Sequence, residues 1–232
     1  MKKLLLFTVL AGIAVWQLGY WGIVSYPLDP KPKEGAIRVA CVGDSITYGM
    51  GVQNWYENSY PKVLGRLLGD GYDVRNFGVS ARTAMKTGDN PYIDAGRYQA
   101  SLDFQPDIVI VMFGTNDSKP QNWQGKAEFI AQYKELVTSY ADLPSKPRIL
   151  LMAPPVVYKD DPNAADKFGI SESVLVDVRD SVRSLATELG LNVIPIDVIS
   201  TGHRDWFIGD GIHPNGKGAG GIAKAVYAEL SQ

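Results

Sequence analysis

The chain predicts an α/β fold, a three-layer α/β/α sandwich on a five-stranded parallel sheet. Three observations carry this expectation. Five short apolar runs recur between residues 36 and 232, and Val and Ile are frequent in all but the second. Each run has the length of a strand. Amphipathic stretches of helical period stand between the runs, and such β-α alternation implies right-handed crossovers and a sheet covered on both faces.

In chain order, the expected strands are 37–42, 72–77, 107–113, 148–153 and 191–197. The first expected helix is 61–68, with Pro61 in its first turn, where a missing N–H costs nothing. A second spans 94–104, and a third spans 127–140, where Phe129, Ile130, Tyr133, Leu136, Val137 and Tyr140 form one stripe. A fourth spans 171–189 with Val174, Val178, Val182 and Leu185 on one face, and a last helix spans 218–230. No internal repeat or low-complexity tract interrupts the pattern. In a sheet of this kind ligands gather beyond the carboxyl ends of the strands.

The first 26 residues read differently. Lys2 and Lys3 precede an apolar stretch in which Gln17 is the only strongly polar residue, about long enough to cross a hydrocarbon core of roughly 30 Å. An uncut membrane anchor and a cleaved signal peptide both fit, and either places the body outside the cytoplasm, periplasmic or secreted. Residues 27–35, with Pro27, Pro30 and Pro32, read as a stiff polar linker, and 36–232 as one domain. Apolar residues make up 45% of the 232, charged residues 21%, and the formal net charge is −2. Such a balance provides no basic field for nucleic acid, which is excluded as a partner. Cys41, the one cysteine, sits in an apolar run and reads as a buried structural thiol. With two histidines and one cysteine, no metal site of the usual zinc type is expected, and no cofactor is called for.

Two motifs near opposite ends of the domain carry the chemistry: Val42-Gly43-Asp44-Ser45-Ile46-Thr47 and Asp210-Gly211-Ile212-His213-Pro214. They supply, in the order Ser, Asp, His, the nucleophile, orienting carboxylate and general base that hydrolysis of an ester by covalent catalysis requires. Taken singly, Ser45 is a turn or N-cap serine, Gly78 a strand-end glycine, Asn116 an Asx-turn residue, and Asp210 and His213 loop residues. Taken together, Ser45, Gly78 and Asn116 each follow an expected strand, and all five residues fall at one edge of the sheet. Gly216 to Gly221 formally matches a dinucleotide fingerprint, but it follows a loop and lacks a downstream acidic residue. The nucleophile elbow of α/β-hydrolases is absent, since Thr47 stands where that pattern needs Gly.

Gly43-Asp44-Ser45-Ile46, Gly78, Gly114-Thr115-Asn116-Asp117 and Asp210-Gly211-Ile212-His213-Pro214 resemble the four sequence blocks of the GDSL/SGNH hydrolases and span nearly the whole domain. The resemblance implies a flavodoxin-like parallel sheet, Ser45 as nucleophile, His213 as base and Asp210 as its orienter. It also implies an oxyanion hole from the Ser45 N–H, the Gly78 N–H and the Asn116 side-chain amide. Ile46 replaces the Leu of the family's name.

The 76–84 and 88–92 segments resemble family members described as sialate O-acetylesterase-like carbohydrate esterases, which implies O-acetyl groups on glycans as the substrate class. Asp44 and the aromatics Trp55, Tyr56, Tyr92, Trp123, Tyr158 and Trp206 are the candidate substrate contacts; the same aromatics could simply fasten their loops. Four alternatives stay open: a lysophospholipase, a thioesterase, an O-acyltransferase on the same fold, and a silent carbohydrate-binding protein.

Overall fold

The computed structural model describes residues 31–159 and 168–231. The segment 1–26 expected as leader or anchor lies outside the described residues, as do residues 27–30 of the linker. From Lys33 onward the chain forms one compact unit. Among the described residues, no helix is long and apolar enough to cross a membrane.

Five strands, β1 (Ile37–Gly43), β2 (Tyr72–Asn76), β3 (Ile108–Met112), β4 (Arg148–Ala153) and β5 (Asn192–Pro195), form one sheet in the order β2-β1-β3-β4-β5. Every pairing is parallel, with Cys41 opposite both Asn76 and Ile110, and Ala153 opposite Pro195. The helices are α1 (Ser45–Tyr48), α2 (Trp55–Asn58), α3 (Tyr60–Leu68), α4 (Gly96–Asp103), α5 (Lys126–Ala141), α6 (Glu172–Leu189), α7 (Ile196–Ser200) and α8 (Gly216–Leu230).

Alternation along each strand divides the core into two layers. Ala40, Val42, Val109, Val111, Ile149 and Leu151 face one layer, filled by Phe129, Tyr133, Leu136, Val137 and Tyr140 of α5 and by Val178, Val182 and Leu185 of α6. Val39, Cys41, Ile110, Met112, Leu150 and Met152 face the other, closed by Leu64 of α3 and Ala219, Ile222, Ala223 and Val226 of α8. The expected three-layer sandwich is therefore present, and each central strand is apolar on both faces because a helix layer covers both. Cys41 is buried, and burial pushes its thiol pKa far up.

The helix ends follow local chemistry. Pro61 lies in the first turn of α3. The Ser171 hydroxyl accepts from the Val174 N–H and caps α6, which stops at Gly190 in a left-handed conformation. Asn215 Oδ1 accepts from the N–H groups of Lys217 and Gly218 at the start of α8. Most boundaries shift by a residue or two, and the fifth strand shows why: read as 191–197, it ends at Pro195, and Ile196 opens α7. Proline has no N–H with which to continue a ladder.

Phe113 is fully buried against Tyr92 and Tyr133 just beyond β3. Phe113→Ala is expected to lower stability by about 3–5 kcal/mol, read as a drop in the urea midpoint at unchanged slope.

Candidate active site

β1 lies between β2 and β3, so the chain leaves it to one side of the sheet and later returns on the other. The crevice at that divergence is where Ser45 sits, first residue of α1. Asp44 precedes it and caps the helix, its Oδ1 accepting from the Ile46 N–H at 2.9 Å. As the first residue of a helix, Ser45 has a backbone N–H with no acceptor in the preceding turn.

The 210–214 loop brings the imidazole to this hydroxyl. Asp210 Oδ1 accepts from the backbone N–H groups of Ile212 and His213, both at 2.9 Å. Its second oxygen is thereby aimed at the ring, and Oδ2 lies 2.6 Å from His213 Nδ1. His213 Nε2 lies 2.9 Å from Ser45 Oγ. An ionised carboxylate only accepts, so Nδ1 carries the hydrogen and Nε2 is left to accept from the serine. Burial raises the Asp210 carboxyl, but the hydrogen bonds from the His213 ring and from the His213 and Ile212 N–H groups outweigh it and hold the pKa below the ordinary value. Gly211 makes the turn at φ +67°, and a Cβ there would stand 1.9 Å from the Tyr158 carbonyl oxygen. The Phe168 ring meets the imidazole edge-on, with centroids 5.7 Å apart.

Asn116 follows β3 on the other side of Ser45. Its side-chain amide donates to the Arg82 carbonyl at 3.1 Å and reaches Asp44 Oδ2 only at 3.5 Å, which leaves one of its two hydrogens weakly held. Asn122 fixes the Asn116 backbone, donating to its carbonyl at 2.9 Å. Beside it, the fully buried Asp117 accepts from the N–H groups of Ala84 and Met85 at 3.1 and 2.9 Å. Asn116 and Asp117 together clamp the 82–85 segment to the end of β3.

Comparison with known proteins adds identity to this geometry. Residues 41–220 match the model of the GDSL-like lipase/acylhydrolase family. The chain belongs to that family.

An acetylxylan esterase from Xylanibacter ruminicola is 38% identical over 218 residues, covering 87% of this chain and 44% of that protein. A rhamnogalacturonan acetylesterase from Bacillus subtilis is 27% identical over 162 residues, covering 69% of this chain and 65% of that protein. The chain thus spans less than two thirds of either relative. Among solved structures, a carbohydrate acetylesterase from Sinorhizobium meliloti superposes with a TM-score of 0.69 at 24% identity, covering 84% of this chain and 98% of that one. At that identity the likeness concerns the fold.

Ser45, Gly78, Asn116, Asp210 and His213 all lie inside the stretch matched by the GDSL-like family. Four of them line the crevice as described; Gly78 needs a correction. Its N–H, expected in the oxyanion hole, donates to Asn76 Oδ1 at 2.9 Å. What requires glycine there is close approach, because a Cβ would stand 2.3 Å from the Tyr48 nitrogen and 2.7 Å from the Thr47 carbonyl carbon. Asn76 in turn donates to the Thr47 carbonyl at 2.8 Å and so ties β2 to α1.

Of the expected substrate contacts, Asp44 and Tyr92 are buried and structural, while the other aromatics each have a packing partner. Asp44 is 1% exposed and serves as a cap. Tyr92 is fully buried, its ring against Tyr98 and Phe113 and its hydroxyl donating to the Phe77 carbonyl. Trp123 packs on Phe129, Tyr158 donates to the Ser200 carbonyl and packs on Phe207, and Trp206 stacks on His203 with centroids 4.4 Å apart. Trp55 stacks on Tyr48, leaving Tyr56 the more exposed aromatic of that turn. Sequence reading missed Asn76, Asp117 and Asn122; the signals available were the polar residue that ends β2 and the polar run that follows β3.

Burial pushes the Asp44 carboxyl up to about 6 against the Ile46 N–H bond that opposes it. Burial likewise pushes Asp117 up to about 7 against its two N–H bonds, with the Asp44 charge adding to the rise. A raised folded-state pKa means that the native protein keeps a proton the unfolded chain has released. Stability from Asp117 is therefore full below its ordinary value of 3.8 and is lost as pH rises through about 7. Asp117→Ala leaves two buried N–H groups unpaired, for an expected loss of about 2–4 kcal/mol. Urea melts between pH 4 and 8 check both points: the variant should be weaker throughout, and its stability should fall less steeply with pH.

Proposed function

We propose that this protein is a serine esterase that removes O-acetyl groups from carbohydrates through an acyl-enzyme. One observation carries the reading: the unbroken line from Asp210 Oδ2 to His213 Nδ1 at 2.6 Å and from His213 Nε2 to Ser45 Oγ at 2.9 Å, at the carboxyl end of a parallel sheet. The substrate class draws support from the acetylxylan and rhamnogalacturonan acetylesterases among the relatives. A polysaccharide substrate also agrees with the location outside the cytoplasm expected from the N-terminal sequence.

A serine hydroxyl is a poor nucleophile at neutral pH. As Ser45 Oγ attacks the acetyl carbon, its proton passes to His213 Nε2, and Asp210 stabilises the imidazolium through Nδ1. The carbonyl oxygen becomes an anion, which accepts from the Ser45 N–H and from the weakly held hydrogen of the Asn116 amide. Collapse breaks the bond to the sugar oxygen, which leaves with the Nε2 proton. Water then repeats the sequence: His213 takes its proton, acetate departs, and the proton returns to Ser45 Oγ.

The decisive test is a panel of acetylated glycans and synthetic esters of rising acyl length, with Ser45→Ala as control. Turnover should be highest on acetyl groups and vanish in the folded variant. A preference for long chains would assign a lysophospholipase or thioesterase, and loss of hydrolysis on adding a sugar acceptor would assign a transferase.

Asp210→Asn should keep the fold, since one side-chain oxygen still accepts from the loop N–H groups, yet lower kcat by about 10⁴ by presenting a donor to Nδ1. Steady-state kinetics on 4-nitrophenyl acetate, with circular dichroism for the fold, check this.

A further inference from the structure

Next to the catalytic crevice lies a cavity of about 620 Å³, within the range of small-ligand sites. It opens between the 51–58 segment, the Val63–Arg66 side of α3 and the first turns of α8. The turn reaches it directly from the nucleophile: Gly49 and Met50 both donate to the Ser45 carbonyl, and Gly51, which lines the cavity, abuts the catalytic loop. A Cβ on Gly51 would stand 3.1 Å from His213 Cβ and 2.9 Å from the Pro214 carbonyl oxygen. The cavity and the imidazole thus share one wall.

The lining side chains have a consistent chemistry. Gln53, Asn54, Asn58, Arg66 and Asn215 contribute four amides and one guanidinium, with no carboxylate and no lysine among the lining residues. Two amides are already engaged: Asn215 caps α8, and Asn58 donates to the Gln53 carbonyl. The side chains of Gln53 and Asn54 are free of such duties. Asn54 stands before α2 in a left-handed conformation, φ 51°, and makes no capping bond. Arg66 gives one nitrogen to the Glu57 carbonyl and keeps its remaining donors. Uncommitted amides offer a donor and an acceptor side by side, which matches vicinal hydroxyls, and a single positive charge without a basic cluster gives little hold on a polyanion.

We propose that this cavity is a glycan subsite: Gln53, Asn54 and Arg66 hold the hydroxyls of the uncharged sugar units adjoining the acetylated one, while the ester lies at Ser45. The proposal rests on the esterase reading and adds where the rest of the chain binds.

The test uses Gln53→Ala, Asn54→Gly and the double variant of the full protein, assayed on acetylated xylotetraose and on 4-nitrophenyl acetate, which carries no adjoining sugar units. Glycine keeps the left-handed backbone of Asn54 while removing its amide. The double variant is expected to raise KM for the oligosaccharide about fivefold or more, as loss of two neutral hydrogen bonds implies. Its kcat/KM on 4-nitrophenyl acetate should stay within about twofold of the unaltered protein. An unchanged oligosaccharide KM would overturn the subsite, and so would an equal loss on both substrates, which would mark a role in folding. An unaltered protein that cleaves 4-nitrophenyl acetate but no acetylated glycan would instead overturn the parent reading, and that outcome is distinguishable because it needs no variant.

Discussion

The order of strands is the constraint on which the rest depends. With β1 between β2 and β3, the connection after β1 runs to one face and the connection after β2 crosses to the other, so their starting points cannot cover the same ground. What remains open between them is the crevice at the carboxyl ends. Ser45 enters it from β1, Asn116 from β3, and His213 from the loop that precedes α8. No single segment holds two of these groups, and the serine and histidine are 168 positions apart. The sheet and the 210–214 loop together make them neighbours.

A second level of structure fixes the crevice once the sheet has made it. Three polar side chains at strand ends spend their hydrogen bonds on backbone groups: Asp44 on α1, Asn76 on α1 and the Gly78 N–H, and Asp117 on the 84–85 backbone. Burying a carboxyl is costly, and both aspartates show it in raised pKa values. A carboxylate can nonetheless accept from two N–H groups at once, which an apolar residue cannot, and a loop with unpaired buried N–H groups would not hold its shape. Asp210 uses the same device with the opposite electrostatic result. Two N–H groups and the imidazole N–H converge on it, so its ionised form is favoured.

The parts legible in the sequence are those set by local pattern. The 148–153 strand agrees with the reading at both ends, and the long helices agree to within two residues, because a covered strand and an amphipathic helix each display their burial in their spacing. Four-residue α1 and α2 complete barely one turn, too little for a periodic stripe, and passed unread. Tyr92 shows the other limit. Its neighbours Asn90 and Pro91 mark a loop, and nothing local indicates that its ring packs on Phe113 and Tyr98 while its hydroxyl donates to the Phe77 carbonyl. Gly78 was legible as a required glycine, whereas the use of its N–H was not, since that depends on the side-chain rotamer of Asn76.

Gly78 and Gly211 then explain why the distances in the site are short. Each lies where another backbone passes within about one side-chain radius, Tyr48 in the first case and Tyr158 in the second. A larger residue at either position must displace main chain rather than a flexible side chain, and main chain here is the floor of the crevice or the turn that carries the imidazole. A shift of about 1 Å in a catalytic contact is enough to cost orders of magnitude in rate. The same closeness couples the site to its surroundings: Gly51 touches the histidine loop in the same way, so a ligand pressing on the 51–54 turn would press on the catalytic base. Geometry that brings hydroxyl and imidazole to 2.9 Å leaves little slack for either to move independently.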